Sequence, residues 1–252
     1  MIRVGTAGWS IPRAAAHEFP GTGSHLERYS RVLPCAEINS SFHRPHAVQV
    51  YERWADSTPP SFRFSVKLPR AITHEGELRR PGPLLDAFFA QVAGLGSKLG
   101  ALLVQLPPSQ VFNLRVAGTF FTKLRERYAG PVVCEPRHIT WFDKKAEELL
   151  VLHRVARVAT DPSKIQAALR PGGWTPDLAG PDEASIVYYR LHGSPRKYWS
   201  RYSPERIQQW SSEIAALPDR SDIWCIFDNT ASGAAIENAL EMTVVSRRPR
   251  SR

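Results

Sequence analysis

The stretch IVYYRLH at residues 186–192 is a run of apolar, aromatic and β-branched residues that closes on polar side chains. Seven other short apolar runs share this form, and most carry polar or charged residues at or just after their C-terminal ends. These runs are Ile2–Gly8, Cys35–Ile38, Phe62–Leu68, Ala101–Leu106, Val132–Cys134, Ala156–Thr160 and Ile223–Phe227. Their average spacing of roughly 31 residues suits a repeated strand–helix unit. Eight such units predict an α/β fold, a single-domain (β/α)8 TIM-type barrel.

The size and composition of the chain agree with one barrel domain. The chain has 252 residues and 42% hydrophobic content, against about 250 residues for a typical barrel. We expect the barrel to occupy residues 1–242 and a basic, flexible C-terminal tail to occupy 243–252. Helical periodicity between the runs predicts helices at Leu84–Leu99, Val116–Tyr128, Lys144–Val155, Pro204–Ala216 and Ala234–Leu240. The Pro- and Gly-rich segment Leu169–Ala184 predicts an irregular connection at the N-terminal side of the next strand, away from the site.

The sequence carries no signal for export or for a membrane. It has no N-terminal apolar segment flanked by positive charge, and no apolar run approaches the roughly 18 residues that span a bilayer. We therefore expect a cytoplasmic protein with no membrane partner. Cys35, Cys134 and Cys225 lie inside predicted strands and are too widely spaced for a zinc motif, which predicts buried, reduced thiols.

Alternation along the strands predicts which side chains face the barrel interior. In the stretch FRFSVKL at 62–68, the four apolar residues should face the helices, which leaves Arg63, Ser65 and Lys67 inside. The same parity predicts a polar set inside the C-terminal mouth: Glu37, Lys67, Gln105, Glu135, Arg190, His192 and Asp228. Because unpaired buried charges are costly, two interpretations stay open. The set is a ligand site, or it is a mutually satisfied salt-bridge network that only stabilises the barrel.

Several motifs, taken in order, resemble a known family. They are TAGWS at 6–10, EINSSF at 37–42, FSVKLPR at 64–70, LVQLPP at 103–108, EPRH at 135–138, YRLHG at 189–193 and FDNTASGAA at 227–235. This combination resembles the YecE-like family, also termed domain of unknown function seventy-two, from about residue 3 to 240. The resemblance implies a TIM-type barrel and a soluble bacterial or archaeal origin, but no particular reaction. The first loop, IPRAAAH at 11–17, departs from the aromatic and the further tryptophan usual in the family.

Cations and aromatic side chains dominate the loops after the strands, which favours an anionic ligand. The predicted ligand-binding residues are Trp9, Asn39, Lys67, Arg70, Gln105, Arg137, His138, Arg190, Tyr198, Trp199, Asn229 and Thr230. The segment NTASG at 229–233 leads into a helix, so its free backbone N–H groups are expected to receive a phosphate. The alternative is a simple helix cap.

The candidates for acid–base catalysis are Glu37, Glu135, His192 and Asp228. Carboxylates beside arginines usually stay ionised, so Glu135 or Asp228 is a candidate base or orienting group, with His192 as proton carrier. Each of the four has an alternative role as a salt-bridge partner. A two-carboxylate glycosidase fits the many cations less well. We expect no cofactor; a divalent metal is a weaker alternative, because neighbouring cations would repel the ion.

Three hypotheses for the function follow. The first is an enzyme, a hydrolase, lyase or isomerase, that acts on a phosphorylated or otherwise anionic small molecule. The second is a nucleic-acid-binding protein or nuclease. In it, Arg196, Lys197 and Arg201 contact phosphates, while Tyr198, Trp199 and Tyr202 stack on bases. The third is a noncatalytic anion-binding barrel. The net charge of +9 favours anionic partners without selecting among them.

Overall fold

A ring of parallel strands forms the centre of the molecule in the computed structural model, which describes residues 1–180, 185–218 and 221–246. The strands are β1 (Ile2–Ala7), β2 (Cys35–Ile38), β3 (Arg63–Lys67), β4 (Leu99–Gln105), β5 (Val132–Glu135), β6 (Val155–Arg157), β7 (Ala159–Asp161), β8 (Gly172–Gly173), β9 (Ile186–Leu191) and β10 (Asp222–Phe227). Each of the eight predicted runs contains strand residues, so the barrel prediction is confirmed.

The sixth predicted strand is divided in two at Val158. Its first half, β6, pairs with β5, and its second half, β7, pairs with β9. Because β6 and β7 are adjacent in the chain, they connect the β5 side of the sheet to the β9 side and nearly close the barrel. The backbone N–H of Val158 donates to the carbonyl of Cys134, 2.8 Å away.

The Pro- and Gly-rich connection that was predicted to be irregular contains a short strand. Gly172–Gly173 forms β8, which pairs antiparallel with β6. The last residues of the predicted connection, 181–184, lie outside the described residues.

The helices surround the barrel and cover its outer face. They are α1 (His25–Ser30), α2 (Val48–Asp56), α3 (Gly82–Val92), α4 (Leu114–Arg125), α5 (Lys144–Leu152), α6 (Pro204–Ala215) and α7 (Ala234–Ser246). A π-helix, Ala71–Glu75, follows β3, and short 3-10 helices occupy Arg13–Glu18, Ser40–Phe42, Ala93–Lys98, Ile139–Phe142 and Gln166–Leu169. In the described part of the chain, no helix combines the length and apolar character needed to cross a bilayer.

The helices differ from the sequence predictions in several bounds, and α2 was not predicted. Helix α3 stops at Val92 instead of Leu99, and the 3-10 turn that follows contains Gly96 at φ 51°. Helix α7 continues to Ser246, beyond the expected start of the tail at 243, and residues 247–252 lie outside the described range. Helix α1 was not predicted, although Ser24 and Glu27 form a capping box at its start.

Side-chain alternation divides the core into two layers. Phe64 and Val66 face outward into the layer between strands and helices. Ser65 faces inward and shares a 2.6 Å hydrogen bond with the hydroxyl of Tyr188 across the barrel. Below this contact, the rings of Tyr188 and Trp224 stack at 5.9 Å and fill the interior. Side chains therefore fill the barrel interior below the C-terminal ends of the strands, and the polar side chains occupy the mouth at those ends. The three cysteines are buried and free, as predicted.

Candidate functional site

Arg190 is the centre of the polar network in the barrel mouth. Its guanidinium is fully buried, and three carboxylates surround it. Nε and Nη2 donate to the two carboxylate oxygens of Glu37 at 2.9 and 2.6 Å, which makes a bidentate pair. Nη1 donates to Glu135 at 2.6 Å, and Nη2 also donates to Asp228 at 3.1 Å. Strands β2, β5 and β9 and the residue after β10 therefore meet at one side chain.

His192 and Arg137 extend this network. The Nδ1 atom of His192 lies 2.9 Å from Asp228, and its Nε2 lies 3.3 Å from Glu135. Arg137 donates from Nε to the same Glu135 oxygen at 3.0 Å. The imidazole is fully buried and both of its nitrogens face carboxylates. His192 therefore bridges Asp228 and Glu135 beneath the mouth of the barrel.

Glu37 has one further partner on the interior side. The hydroxyl of Tyr188 donates to Glu37 at 3.0 Å. The ionic network is thus tied to the packed lower barrel through a single buried tyrosine. The mutually bonded salt-bridge network that the sequence left open as one interpretation is present in the structure.

Electrostatics keep the carboxylates of Glu135 and Asp228 ionised. Burial by itself would raise the pKa of Glu135, but Arg190 and Arg137 hold it well below its usual range. Burial would also raise the pKa of Asp228. The charge of Arg190 and the hydrogen bond with His192 outweigh burial, so the pKa of Asp228 is lowered. Burial opposes the charge of Arg190, but Glu37, Glu135 and Asp228 raise its pKa well above normal. Glu135 and Asp228 are consequently weak bases near neutral pH.

A cavity of about 490 Å³ opens above this network. Many of the predicted site residues line it. They are Asn39, Lys67, Arg70, Gln105, Arg137, Arg190, Tyr198, Asp228 and Thr230. Glu37, Glu135 and His192 lie beneath, each bonded to a residue that lines the cavity. The polar set predicted from strand parity is therefore gathered at one end of the barrel, in two levels.

Lys67 has an unusual position in the cavity wall. It ends β3, only 7% of its surface is exposed, and its Nζ stands 3.8 Å from the centre of the Phe42 ring. Among the described residues, no carboxylate lies within ion-pair distance of its ammonium. Burial and the charge of Arg190 lower its pKa to about 8, against the opposite influence of the nearby carboxylates. Lys67 is thus a cation held in the cavity without a directly bound counter-ion.

Sequence reasoning did not select three residues that also line the cavity, Phe42, His43 and His74. They follow β2 and β3, and that position is the signal by which they could have been found. His74 belongs to the π-helix Ala71–Glu75. Burial, followed by the charges of Lys67, Arg137 and Arg70, lowers its pKa to about 4, so His74 is neutral at pH 7.

Comparison with known proteins identifies the family. A family model described as "Protein of unknown function DUF72" matches residues 3–250. The chain belongs to the DUF72 family. It is 23% identical to the UPF0759 protein YunF of Bacillus subtilis (strain 168), over 96% of this chain and 93% of that protein. It is 30% identical to the UPF0759 protein YecE of Escherichia coli (strain K12), over 67% of this chain and 62% of that protein.

Solved DUF72 structures share the fold. A DUF72 family protein from Enterococcus faecalis V583 superposes with a TM-score of 0.79 at 22% identity and covers 100% of this chain and 97% of its own. Another, from Thermotoga maritima MSB8, gives a TM-score of 0.78 at 25% identity, over 98% of this chain and 100% of its own. The family and the barrel expected from the sequence motifs are both confirmed.

Two predicted ligand residues of this DUF72 chain pack away from the cavity. After β1, Gly8 at φ 81° turns the backbone, and Trp9 packs edge-on against Trp54 and Phe64, with ring centres 5.0 and 6.0 Å away. His138 caps the 3-10 helix that follows it, and its Nδ1 accepts from the N–H of Thr140. Both residues lie in loops beyond the strand ends, where strand alternation does not set the direction of a side chain.

Two others also lie outside the cavity lining. Trp199 is 45% exposed and lies under the guanidinium of Arg196 at 4.5 Å. Asn229 is fully buried, and its Nδ2 donates to the carbonyl of Ser200 at 2.9 Å and to Asn238 at 3.0 Å. Asn229 therefore holds the loops after β9 and β10 together.

Two backbone N–H groups of the segment 229–233, and two at the start of α7, donate to groups of the protein. The N–H groups of Ala231, Gly233 and Ala235 donate to carbonyls of Tyr198, Thr230 and Asn229. The Oγ of Ser232 accepts from the N–H of Ala234 at 3.4 Å, as a weak cap of α7. The helix-cap alternative thus has a structural counterpart in Ser232.

Arginines fill the space between the acidic residues of the mouth. Within the described ranges, no group of three or more His, Cys, Asp or Glu side chains has an arrangement that could hold a metal ion. Glu37, Glu135 and Asp228 each bind the guanidinium of Arg190 instead.

Proposed function

We propose that this protein binds a small anionic molecule, phosphorylated or carboxylated, in the cavity at the C-terminal mouth of the barrel. The observation that carries the proposal is the uneven partnering of charges around the cavity. Beneath the cavity, Glu37 and Glu135 direct their oxygens at Arg190 and neighbouring donors. Asp228, which lines the cavity, directs Oδ2 at Arg190 and His192. Lys67, in contrast, lines the cavity with no bound carboxylate among the described residues.

Two arginines supply further positive charge at the rim. Arg70 is half exposed and forms an ion pair with Glu75 at 2.9 Å. Arg137 is 21% exposed and contacts the buried Glu135. Guanidinium groups suit phosphate and carboxylate because their N–H groups form a planar fork. Arg190 differs from the predicted ligand anchor, since its donors already serve three carboxylates; its role in this proposal is to fix the floor of the site.

The dimensions support a metabolite-sized ligand. A volume of about 490 Å³ falls within the range of roughly 300–1,000 Å³ for small-molecule sites. The floor is preorganised because every charged group in it is bonded to at least one other. Little side-chain ordering is then required on binding, which favours affinity.

A titration with inorganic phosphate and with pyrophosphate, followed by calorimetry, tests the proposal. Lys67→Met and Arg70→Gln should each weaken binding about tenfold to a hundredfold, because hydrogen bonds to charged groups contribute roughly 1.5–3 kcal/mol. The matched control is Arg79→Gln, since Arg79 is an exposed arginine near the same acidic segment, 3.9 Å from Glu77, and does not line the cavity. Equal affinities in all three variants, or no binding to the wild type at about 10 mM, would refute the proposal.

A second candidate function is weak binding of single-stranded nucleic acid at the loop after β9. Tyr198 and Trp199 are 39% and 45% exposed. Lys197 lies over the Tyr198 ring at 5.2 Å, and Arg196 lies over the Trp199 ring at 4.5 Å. Adjacent aromatic and basic side chains are typical of surfaces that stack bases. The third predicted aromatic, Tyr202, is buried, and so the surface is smaller than the sequence predicted.

This second candidate is tested by fluorescence anisotropy with mixed-sequence single-stranded DNA. Affinity should fall steeply with salt because counterion release dominates such binding. Trp199→Ala should weaken it several-fold, whereas Trp174→Ala should not, since that tryptophan contacts Arg154 beside the start of β6. Undetectable binding at low salt, or tight binding that salt does not change, excludes the candidate.

A further inference from the structure

Lys67 combines features that simple charge attraction does not require. Its amine lies at the end of a barrel strand, is largely withdrawn from solvent and faces the cavity. The Phe42 ring lies against it on one side. An anion anchor requires only the charged ammonium form, which an exposed, hydrated position favours. Withdrawal from solvent favours the neutral amine, which is the nucleophilic form.

We propose that the Lys67 amine forms an imine with an aldehyde or ketone that carries a phosphate or carboxylate group. This inference rests on the proposed anion site. Arg70 and Arg137, at the rim of the cavity, hold the anionic group, while the carbonyl carbon reaches the Nζ of Lys67. The ligand class is therefore a small keto or aldehyde acid, or a phosphorylated sugar-like carbonyl compound.

The charges around Lys67 allow both protonation states near neutral pH. The arginines that face it are Arg190, Arg137 and Arg70, and the carboxylates are Glu37, Glu135 and Asp228. His74 is neutral at pH 7. With a pKa of about 8, roughly a hundredfold more of Lys67 is neutral at pH 8 than of an ordinary exposed lysine.

The chemical step balances within the site. The lone pair of the neutral Nζ attacks the carbonyl carbon and forms the C–N bond, and the π electrons of the carbonyl move to its oxygen. One proton from nitrogen passes to that oxygen and gives a neutral carbinolamine. A second proton, taken from solvent, lets the hydroxyl leave as water, and the C=N bond of the protonated imine forms. No oxidant or reductant is consumed.

Borohydride trapping tests this step on the full chain. The protein is incubated at pH 8 with pyruvate, glyoxylate or dihydroxyacetone phosphate, sodium borohydride is added, and peptide mass spectrometry locates the reduced adduct. We expect at least one probe to label Lys67 more than tenfold above Lys144, whose side chain is 90% exposed on α5. Acetic anhydride in trace amounts gives a probe-independent reading, in which the acetylation rate of Lys67 should rise through a midpoint near pH 8.

Three variants separate the covalent role from the electrostatic one. Lys67→Arg keeps the charge without a nucleophilic amine, so it should retain phosphate binding and lose the adduct. Lys67→Met should lose the adduct and weaken phosphate binding, and Lys144→Met should change neither. Phosphate binding without a Lys67 adduct from any probe, together with ordinary lysine acetylation, overturns the imine and leaves the anion site standing. Absence of phosphate binding in the wild type overturns both proposals.

Discussion

Replacement of Glu135 by Gln removes one buried negative charge while it preserves the size of the side chain. Glu135 is fully buried and accepts from three cationic or potentially cationic groups. These are Arg190 at 2.6 Å, Arg137 at 3.0 Å and His192 at 3.3 Å. In either orientation, the glutamine NH2 group replaces a carboxylate oxygen that accepts from Arg190 or from Arg137. At least one guanidinium N–H is then left facing another donor.

The expected loss of stability is large. Removal of one member of a buried ion pair costs roughly 3–5 kcal/mol, because the other member stays buried without compensation. For a domain of this size, that corresponds to a fall of about 6–20 °C in the melting temperature. The control Glu126→Gln removes a carboxylate that is 47% exposed and pairs with Lys123 at 3.0 Å. Its cost should stay below about 1 kcal/mol.

The pH dependence of stability distinguishes loss of this charge from packing damage, which would cost the same at every pH. The pKa of Glu135 is lower in the folded protein than in the unfolded chain. Its contribution to stability is therefore complete above the unfolded value of about 4.3 and is lost as the pH falls through the folded value. The difference in unfolding free energy between wild type and variant should be largest near pH 7 and shrink below about pH 4.

Urea denaturation of both proteins between pH 3 and pH 8, with phosphate titrations at pH 7, checks this reasoning. A difference under about 0.5 kcal/mol at pH 7, or one that stays constant with pH, would show that Glu135 is not held by the cations around it. A large stability loss with unchanged phosphate affinity would assign Glu135 to the structure of the floor and remove it from the candidates for catalysis.

Three further predictions concern single positions in the barrel. Lys67→Met should be roughly 1–3 kcal/mol more stable than wild type at pH 7 in urea denaturation. This difference in unfolding free energy should shrink as the pH rises from 8 to about 10.4, because in that range Lys67 is protonated in the unfolded chain but not in the folded protein. A difference that does not change with pH contradicts the prediction. Gly193→Ala should destabilise the protein by more than about 2 kcal/mol in thermal unfolding. The φ of Gly193 is 91°, and a Cβ there would lie 2.5 Å from the carbonyl oxygen of Ser200. The control Gly8→Ala, at φ 81° with open space around the position, should cost only about 1 kcal/mol. Tyr188→Phe should cost about 1–3 kcal/mol in the same assay, because it removes a donor to the buried Glu37 carboxylate, and an unchanged midpoint would contradict that link.

The sequence by itself determined the barrel and the interior polar set. Strand alternation has a period of two, so the orientation of Ser65, Lys67 and Arg190 follows from local sequence once the strands are recognised. The parallel arrangement of eight strand–helix units then places the strand ends at one mouth. Helix α1 was also within reach, because its capping box is a local signal. Strand alternation gives no direction for side chains in the loops, such as Trp9 after the turn at Gly8.

Only the tertiary structure decided how the polar set is partnered. Arg190 lies 153 positions from Glu37 and 55 from Glu135 along the chain, and their pairing depends on the register of strands around the ring. The same register leaves Lys67 facing the cavity while it gives Arg190 three carboxylates, although the sequence offers both residues as equivalent interior cations. Local sequence fixes the direction in which a side chain points, but the distance between two charges depends on barrel closure, and that distance sets the pKa values and partners at the site.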